Sequence, residues 1–366
     1  MGWAEKLPSG RYRGVYRDEN GNKRSAGIYT NKDVARRKAT AKEDRERENP
    51  SHPVPATTWM EWRPRWALLR TAEEGTQKID NHRIDKHLAP KWNPWLLTEI
   101  HQPDVQEWVV ELSKTLAPTS VEKCYRLLSS SMKAARKAKL ITETPCVDID
   151  LPKPGPSPER HLEDEEVAAL RDPLEPFDQL ILDVLLGTGM RMGEAQGLHR
   201  EHIDIKRKTI SIEWAWDKAT KRMKAPKDHE RRVIPIGESL TKILAATIKK
   251  NGLGEPAPVR YVDDGRTVRS GLLLAHTDNR PFDQDNFRDR FQAAARVAWV
   301  GEGDDRRRLG KVRPNDLRHT YASRLVRAKV PLDQVQVLLG HASVRTTQRY
   351  ARFGDSQWAD VRRTLG

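Results

Sequence analysis

Apolar residues recur along this chain with two periods, and each change of period marks a change of architecture. Between Arg11 and Tyr29 the period is two: Arg11-Tyr12-Arg13-Gly14-Val15-Tyr16-Arg17 alternates as a strand, Asn20-Gly21-Asn22 supplies a hairpin turn, and Lys23 to Tyr29 returns. Thr30 with Asp33 three residues on reads as a helix cap, after which Val34, Ala35, Ala39 and Ala41 face the sheet. Residues 1–50 are therefore expected to form a small sheet of two or three strands backed by one helix. From Thr57 the period becomes helical. Trp59, Trp62, Trp66 and Leu69 share one face, followed by Trp108, Val109 and Leu112, then by Val121, Tyr125, Leu128 and Met132. Residues 57–150 read as an all-helical bundle whose tryptophan rings pack a core rather than stack on bases.

Two stretches punctuate this pattern. Residues 44–56 are charged and then proline-rich, and Pro152-Lys153-Pro154-Gly155-Pro156-Ser157-Pro158 blocks helix and strand ladders alike. Beyond it, residues 159–366 mix both periods. Leu162 to Leu170 predicts a short helix, and Phe177, Leu180, Ile181, Val184 and Leu185 line a longer one. The turn Gly187-Thr188-Gly189 then delivers Met190-Arg191-Met192-Gly193-Glu194 onto the start of the next helix. Ile210, Ile212, Trp214 and Trp216 alternate as a strand, and Arg232-Val233-Ile234-Pro235-Ile236 closes an antiparallel sheet with it. After a polar loop over 251–270, Gly271 to Ala275 reads as a strand and Asp283 to Val300 as a helix with Phe287, Phe291, Ala294 and Val297 inward. An apolar helix ending at Gly340 and a polar helix carrying Tyr350 complete the pattern, and Trp358, Val361 and Leu365 keep a rough helical spacing in the tail. The fold class expected is multidomain and mainly α, with a small N-terminal β-sheet plus helix, a helical middle domain and a mixed α+β C-terminal domain.

Composition narrows the class of partner. Lys and Arg number 66 against 52 Asp and Glu, a net charge of +14, and this excess calls for a polyanion, most simply nucleic acid. Arg11, Arg13 and Arg17 make the first strand a basic ribbon fit for a groove of duplex DNA. Lys133, Arg136 and Lys137, with Arg126 and Lys139, form a second basic stripe opposite an apolar helix face. Solvated basic surface is the alternative for both. Cys124 and Cys146 provide no disulfide framework, zinc spacing or redox pair, as expected of a reducing cytosol. No apolar run is long enough for a signal peptide or a bilayer span, so the expected location is the cytoplasm. His199-Arg200-Glu201-His202 lacks further ligands, so no metal is expected there.

The chemistry on offer lies between Lys311 and Arg352. There Arg313-Pro314-Asn315-Asp316-Leu317-Arg318-His319-Thr320-Tyr321-Ala322-Ser323 is followed by His341 and Tyr350, a phenol among guanidinium and imidazole donors. When an oxygen attacks phosphorus, negative charge spreads over the non-bridging oxygens, and fixed cationic donors aimed at them lower the barrier most. Arginine suits this because its planar fork binds phosphate through two parallel hydrogen bonds and keeps its charge. A tyrosine forms a covalent ester that divides one hard step into two easier ones. The phosphodiester energy is then stored in the protein link, and no cofactor is called for. Arg191, set between Met190 and Met192, needs an anionic partner if buried, and Glu194 one turn on is placed to orient it. His319 reads as a packed helix residue and Tyr321 as structural.

These motifs resemble the tyrosine recombinases, in particular phage-type integrases: Gly187-Thr-Gly-Met-Arg191-Met-Gly-Glu194, the hairpin Lys227, Asp316-Leu-Arg318-His-Thr-Tyr-Ala-Ser, and Leu338-Leu-Gly-His341 with Tyr350 nine residues later. The resemblance is sharp over 160–355 and architectural over 1–150, where the plan is that of an arm-type DNA-binding domain followed by a core-binding one. It implies a site-specific recombinase that integrates or excises a mobile element. Arg191 and Arg318 would clamp the scissile phosphate, Lys227 would protonate the departing 5′ hydroxyl, His341 would donate to a phosphate oxygen and Tyr350 would become a 3′-phosphotyrosine. It implies double-stranded DNA attachment sites, a homotetramer on synapsed DNA with the tail packed on a neighbouring protomer, a tail folded back on its own domain being the alternative, and room for an accessory DNA-bending or directionality factor. The departure is Asn315, where the family commonly has histidine and sometimes lysine. An amide forms hydrogen bonds but shuttles no proton near neutrality, which leaves the acid-base work to Lys227 and His341. A type IB topoisomerase-like enzyme and a non-catalytic DNA-binding regulator on the same scaffold are the rival readings.

Overall fold

The computed structural model describes residues 2–18, 21–48, 56–155, 160–227, 231–262, 265–276 and 278–351. The expectations for Trp358, Val361 and Leu365, for Asn20 and Asp228, and for parts of both proline-rich stretches lie outside the described residues. The chain divides into two compact units, residues 1–73 with 79–155 and residues 74–78 with 156–366.

The first unit opens with a three-stranded antiparallel sheet, β1 (Trp3–Lys6), β2 (Tyr12–Arg17) and β3 (Lys23–Tyr29), in that order. The alternation along Arg11–Arg17 and Lys23–Tyr29 produces β2 and β3, while β1 adds a strand that places Trp3 opposite Val15. Helix α1 (Lys32–Glu48) is capped by Asn31 rather than Thr30, the Asn31 Oδ1 accepting from the Asp33 amide at 2.8 Å. Asparagine and threonine compete for the same orphan amides, and the residue nearer the first turn reaches them. Ala35 and Ala39 are fully buried against the sheet, but Ala41 lies on the outer face. Gly14 lets the helix approach, since a Cβ there would come within 2.6 Å of the Ala35 carbonyl oxygen.

Helices α2 (Trp59–Leu68), α3 (Glu74–Arg83), α4 (Ala89–Trp92), α5 (Gln102–Ser113) and α6 (Pro118–Lys137) follow. Thr58 and Glu61 form a capping box that starts α2 and turns Trp59, Trp62 and Trp66 inward. Both of the first two indoles find acceptors on one residue of α6: Trp59 Nε1 donates to Ser131 Oγ at 3.1 Å and Trp62 Nε1 to the Ser131 carbonyl at 3.2 Å. Leu69 is 65% exposed, because α2 closes at Leu68 and its spacing no longer applies past the cap. Along α6, Val121, Leu128 and Met132 are buried while Arg126, Lys133, Arg136 and Lys137 are exposed, the division that the helical period predicts.

The second unit is built on α7 (Asp164–Arg171), α8 (Pro176–Thr188) and α9 (Met192–Gln196), then β4 (Ile203–Asp204), β5 (Thr209–Ile212), β6 (Ala215–Asp217), β7 (Arg222–Lys224) and β8 (Arg232–Pro235). The alternating run from Ile210 to Trp216 is two strands, because the hydrogen bonding changes partner at Glu213. Thus β5 lies between β4 and β8 in one sheet, and β6 pairs with β7 in another. Helix α10 (Glu238–Asn251) leads into the polar loop, from which β9 (Arg260–Tyr261) joins β7 in parallel. Residues 271–275 make only isolated bridges, Leu272 with His199 and Ala275 with Pro281. Leu272, Leu273 and Leu274 are all buried, so no strand-like alternation exists there.

Helix α11 (Gln284–Val297) starts on Asp283, whose side chain accepts from two amides, and buries Phe287, Phe291 and Ala294. It ends three residues earlier than expected: Ala298 is extended and the chain enters a hairpin of β10 (Trp299–Val300) and β11 (Arg307–Arg308). Val297 is accordingly 57% exposed. The expected last two helices are three, α12 (Pro314–Arg327), α13 (Leu332–Leu339) and α14 (Val344–Gln348), and Tyr350 stands in the turn after α14.

Replacing Phe291 by Ala is expected to lower the free energy for opening α11 by about 3 kcal/mol or more, whereas Val297→Ala changes it by less than about 0.5 kcal/mol. Native-state hydrogen exchange of the α11 amides checks both, and equal losses would contradict the assigned face.

Candidate active site

The site is assembled where the turn after α8 meets the end of α13. Gly189 caps α8 in the left-handed region at φ 63°, and a Cβ there would collide with the Tyr321 ring. That turn sets Arg191 at the head of α9. The Glu194 carboxylate accepts from the Arg191 amide at 2.9 Å and from Arg191 Nη1 at 3.0 Å. It also receives a bidentate pair from Arg232 on β8, at 3.1 and 2.7 Å. Burial alone would raise the Glu194 pKa, but the hydrogen bonds and charge of Arg232, followed by Arg191, hold it below its ordinary value.

The last carbonyls of α13 have no partner within the helix and carry the negative end of its dipole. Three consecutive ones each receive a guanidinium. Arg232 Nε donates to Leu338 O at 2.9 Å, Arg318 Nη2 to Leu339 O at 2.6 Å, and Arg191 Nη2 to Gly340 O at 2.7 Å. Arg318 also donates through Nη1 to Gly189 O at 2.7 Å, tying α12 to the turn that carries Arg191. Burial, then repulsion from Arg191, brings the Arg318 pKa down to about 10, so it stays charged at neutral pH. Two of the three guanidiniums, Arg191 and Arg232, bind the one buried carboxylate while Arg318 is held by carbonyls alone, which leaves an excess of two positive charges that a bound anion would offset.

His341 follows the helix cap at Gly340, and its Nδ1 lies 2.9 Å from Thr347 Oγ1. Burial and then the charges of Arg318 and Arg191 depress its pKa to about 3, leaving a neutral ring. Tyr350 is 1% exposed and packs with Tyr321 and Leu339. Its hydroxyl lies 2.7 Å from His319 Nδ1, and His319 Nε2 lies 3.0 Å from Asn315 Nδ2. Asn315, exposed on the first turn of α12, therefore reaches the phenol through a histidine and not directly. His319, read from the sequence as a packing residue, faces the phenol instead.

Comparison with known proteins decides the family. The model of the phage integrase family matches residues 160–356, more than half of the chain and all of the site above. The chain belongs to the phage integrase family. It is a tyrosine-type site-specific DNA recombinase. Among its relatives, tyrosine recombinase XerD of Pseudomonas aeruginosa is 27% identical over 233 residues, 61% of this chain and 67% of that protein. The Tn1549 transposon integrase in complex with transposon right end DNA has a TM-score of 0.67 at 18% identity, covering 85% of this chain and 100% of that one. A lambda integrase tetramer bound to a Holliday junction has a TM-score of 0.60 at 16% identity, covering 93% and 95%. These two likenesses establish the fold.

Other residues singled out in this integrase stand outside the cluster. Lys227 is exposed beyond β7, and no hydrogen bond or ion pair among the described residues joins it to the arginines. Arg13 and Arg17 share the sheet face to which β1 contributes Trp3, and Arg17 lies over the Trp3 ring. Arg11 precedes the strand, so the basic ribbon is shorter than the sequence implied. Lys133 and Lys137 line a cleft of about 710 Å³ with Trp66, Arg70 and Tyr125, whereas Arg136 is exposed outside that lining. His199 is held by Gly197 O and the Tyr261 hydroxyl at 2.9 and 3.0 Å, and burial, followed by repulsion from His202, lowers its pKa to about 4.

Reading the sequence missed Arg232 and His319. Arg232 shares the inward period of Ile234 and Ile236, which was signal enough for a buried arginine in need of an anion. His319 falls four residues after Asn315, one turn along the same helix face.

Arg232→Met leaves Glu194 with one cation and is expected to destabilise the second unit by about 3–5 kcal/mol, while adding Glu194→Gln restores part of the loss. Denaturant unfolding of both variants measures this, and an undiminished loss in the pair would oppose it. With His341 near 3 and His199 near 4 against an unfolded value of 6.5, the unfolded state binds more protons between those limits. Stability is then complete above about pH 6.5 and falls as pH drops through that window. His341→Gln should remove about one proton, roughly 1.4 kcal/mol per pH unit, from the slope of stability against pH.

Proposed function

We propose that this recombinase cuts and rejoins attachment sites of a mobile element, with Tyr350 as the nucleophile that forms a 3′-phosphotyrosine. The supporting observation is the cationic cradle at the end of α13, where, among the described residues, Arg191 and Arg318 each donate two hydrogen bonds out of five N–H groups and so keep donors for an anion. A scissile phosphate seated there receives two guanidinium forks and offsets the excess charge, and the same forks hold the growing charge of the pentacoordinate transition state. His341, neutral and with Nδ1 turned to Thr347, presents Nε2–H to a non-bridging oxygen. Lys227, exposed after β7, delivers its proton to the departing 5′ oxygen.

The N-terminal sheet with Arg11, Arg13 and Arg17 binds arm-type DNA, and the helical bundle grips the core site through the cleft that Lys133 and Lys137 line, with Arg136 on the same helix. Domains 1–50, 57–150 and 159–366 divide these tasks. Exchange between two sites calls for four protomers on paired DNA, and the lambda integrase tetramer on a Holliday junction lends the reading support by likeness of fold.

A duplex nicked near the cleavage point, taken from DNA flanking the gene, traps the covalent intermediate. Wild type is expected to form an adduct, Tyr350→Phe none, and Arg191→Ala or Arg318→Ala about a thousandth of the rate or less. Lys227→Ala should regain its rate when sulfur replaces the scissile 5′ oxygen, because a thiolate leaves without a proton. Adducts that reseal only their own strand would favour a topoisomerase, and an adduct that survives Tyr350→Phe would move the nucleophile elsewhere.

A further inference from the structure

Neither Asn315 nor His341 is placed to take the proton of the phenol. The amide carries no proton near neutrality, and His341 faces Thr347 through its Nδ1 rather than the Tyr350 hydroxyl. His319 does touch the reacting oxygen: its Nδ1 lies 2.7 Å from the Tyr350 hydroxyl. Its other nitrogen, Nε2, is 3.0 Å from the Asn315 amide. The two contacts are coupled by tautomerism, since a neutral imidazole carries one proton and the partner of one nitrogen sets the state of the other. With the amide nitrogen toward Nε2, the ring holds its proton on Nδ1 and donates to Tyr350. A half turn of the carboxamide presents the carbonyl in the same place, which accepts Nε2–H and opens Nδ1 to receive a proton.

We propose that His319 is the acid-base partner of the nucleophile, taking the Tyr350 proton at Nδ1 during cleavage, and that Asn315 is the positioning residue that accepts Nε2–H and fixes the ring. The inference rests on the recombinase reading above. In cleavage the Tyr350 oxygen bonds to phosphorus, the bond from phosphorus to the 5′ oxygen breaks, the phenol proton moves to Nδ1, and the 5′ oxygen gains a proton from the Lys227 ammonium. In rejoining, an incoming 5′ hydroxyl attacks phosphorus and gives its proton to the Lys227 amine. The bond to Tyr350 then breaks, and the imidazolium returns its proton to the phenol. The charge of the imidazolium is met in part by the Asn315 carbonyl. Asparagine in the position that the family commonly fills with histidine is therefore matched by a histidine one helical turn further on.

Single-turnover cleavage of the nicked site by the full-length chain, followed from about pH 5 to about pH 9, tests this. His319→Gln is expected to bind the site, to lose about a hundredfold or more in rate, and to lose it equally on the oxygen substrate and on the 5′-sulfur substrate. That pattern separates it from Lys227→Ala, which the sulfur rescues. Asn315→Asp puts a carboxylate on Nε2–H, which makes the ring more basic and moves the acidic limb of the profile to higher pH. Among the described residues, Arg191, Arg232 and Glu194 act on Arg318, and Arg318, Arg191, Arg232 and Arg349 act on His341, which is already neutral above about pH 3; the Asn315→Asp shift is therefore what assigns the limb to His319. Cleavage by His319→Gln within about threefold of wild type with an unaltered profile would overturn the proposal. So would an Asn315→Asp limb that stays in place, and that shift decides the matter alone if His319→Gln fails to bind. Absence of any adduct from wild type overturns the recombinase reading itself, a different result from an adduct that ignores His319.

Discussion

Everything at this site depends on the C-terminal end of α13, a short helix of only eight residues whose last carbonyls are shared among three arginines from three other elements. A helix end is a fixed bundle of partial negative charge, and it holds cations without neutralising them as a carboxylate would. That distinction matters for a protein that must bind phosphate. Had three acidic residues held the three guanidiniums, the pocket would be satisfied and of little use. With one carboxylate, Glu194, and three carbonyls, the arginines are held in place by hydrogen bonds and remain in net excess. Order and unspent charge are obtained together.

Glu194 is the element of this arrangement that tolerates least change. It touches Arg191 through both backbone and side chain and grips Arg232 with both oxygens, so it sets the spacing of two arginines that arrive from α9 and β8. Gly189 and Gly340, both in the left-handed region, shape the two turns where the guanidiniums gather. Each turn therefore demands a residue type for its backbone, and the carboxylate demands one for its charge.

Most of the architecture was legible because it is periodic. Strands β2 and β3, the tryptophan face of α2 and the phenylalanine face of α11 follow from spacing alone. The failures fall where periodicity ends without a turn signal: Leu69 past the cap of α2, Val297 before the extended Ala298, and the run from Ile210 to Trp216 that keeps its inward faces while changing sheets. Hydrogen-bond partners leave no trace in a hydrophobic pattern. The site was legible to the extent that its residues are chemically unusual. Arg191 beside Glu194 announced itself as a guanidinium with its counterion one turn away, whereas Arg232 hid inside a strand and His319 hid beside a more conspicuous arginine.

The unspent charge also explains why His341 is neutral. Its pKa near 3 arises from burial and from the neighbouring arginines, so the ring surrenders its proton because the pocket is already too positive. A phosphate entering the pocket offsets that excess and draws the pKa back up, which strengthens the hydrogen bond from the ring as the bond is needed. One surplus of positive charge thus keeps His341 uncharged and makes the end of α13 a site for an anion. The two effects cannot be tuned separately, so any substitution that changes the number of arginines at the end of α13 changes them together.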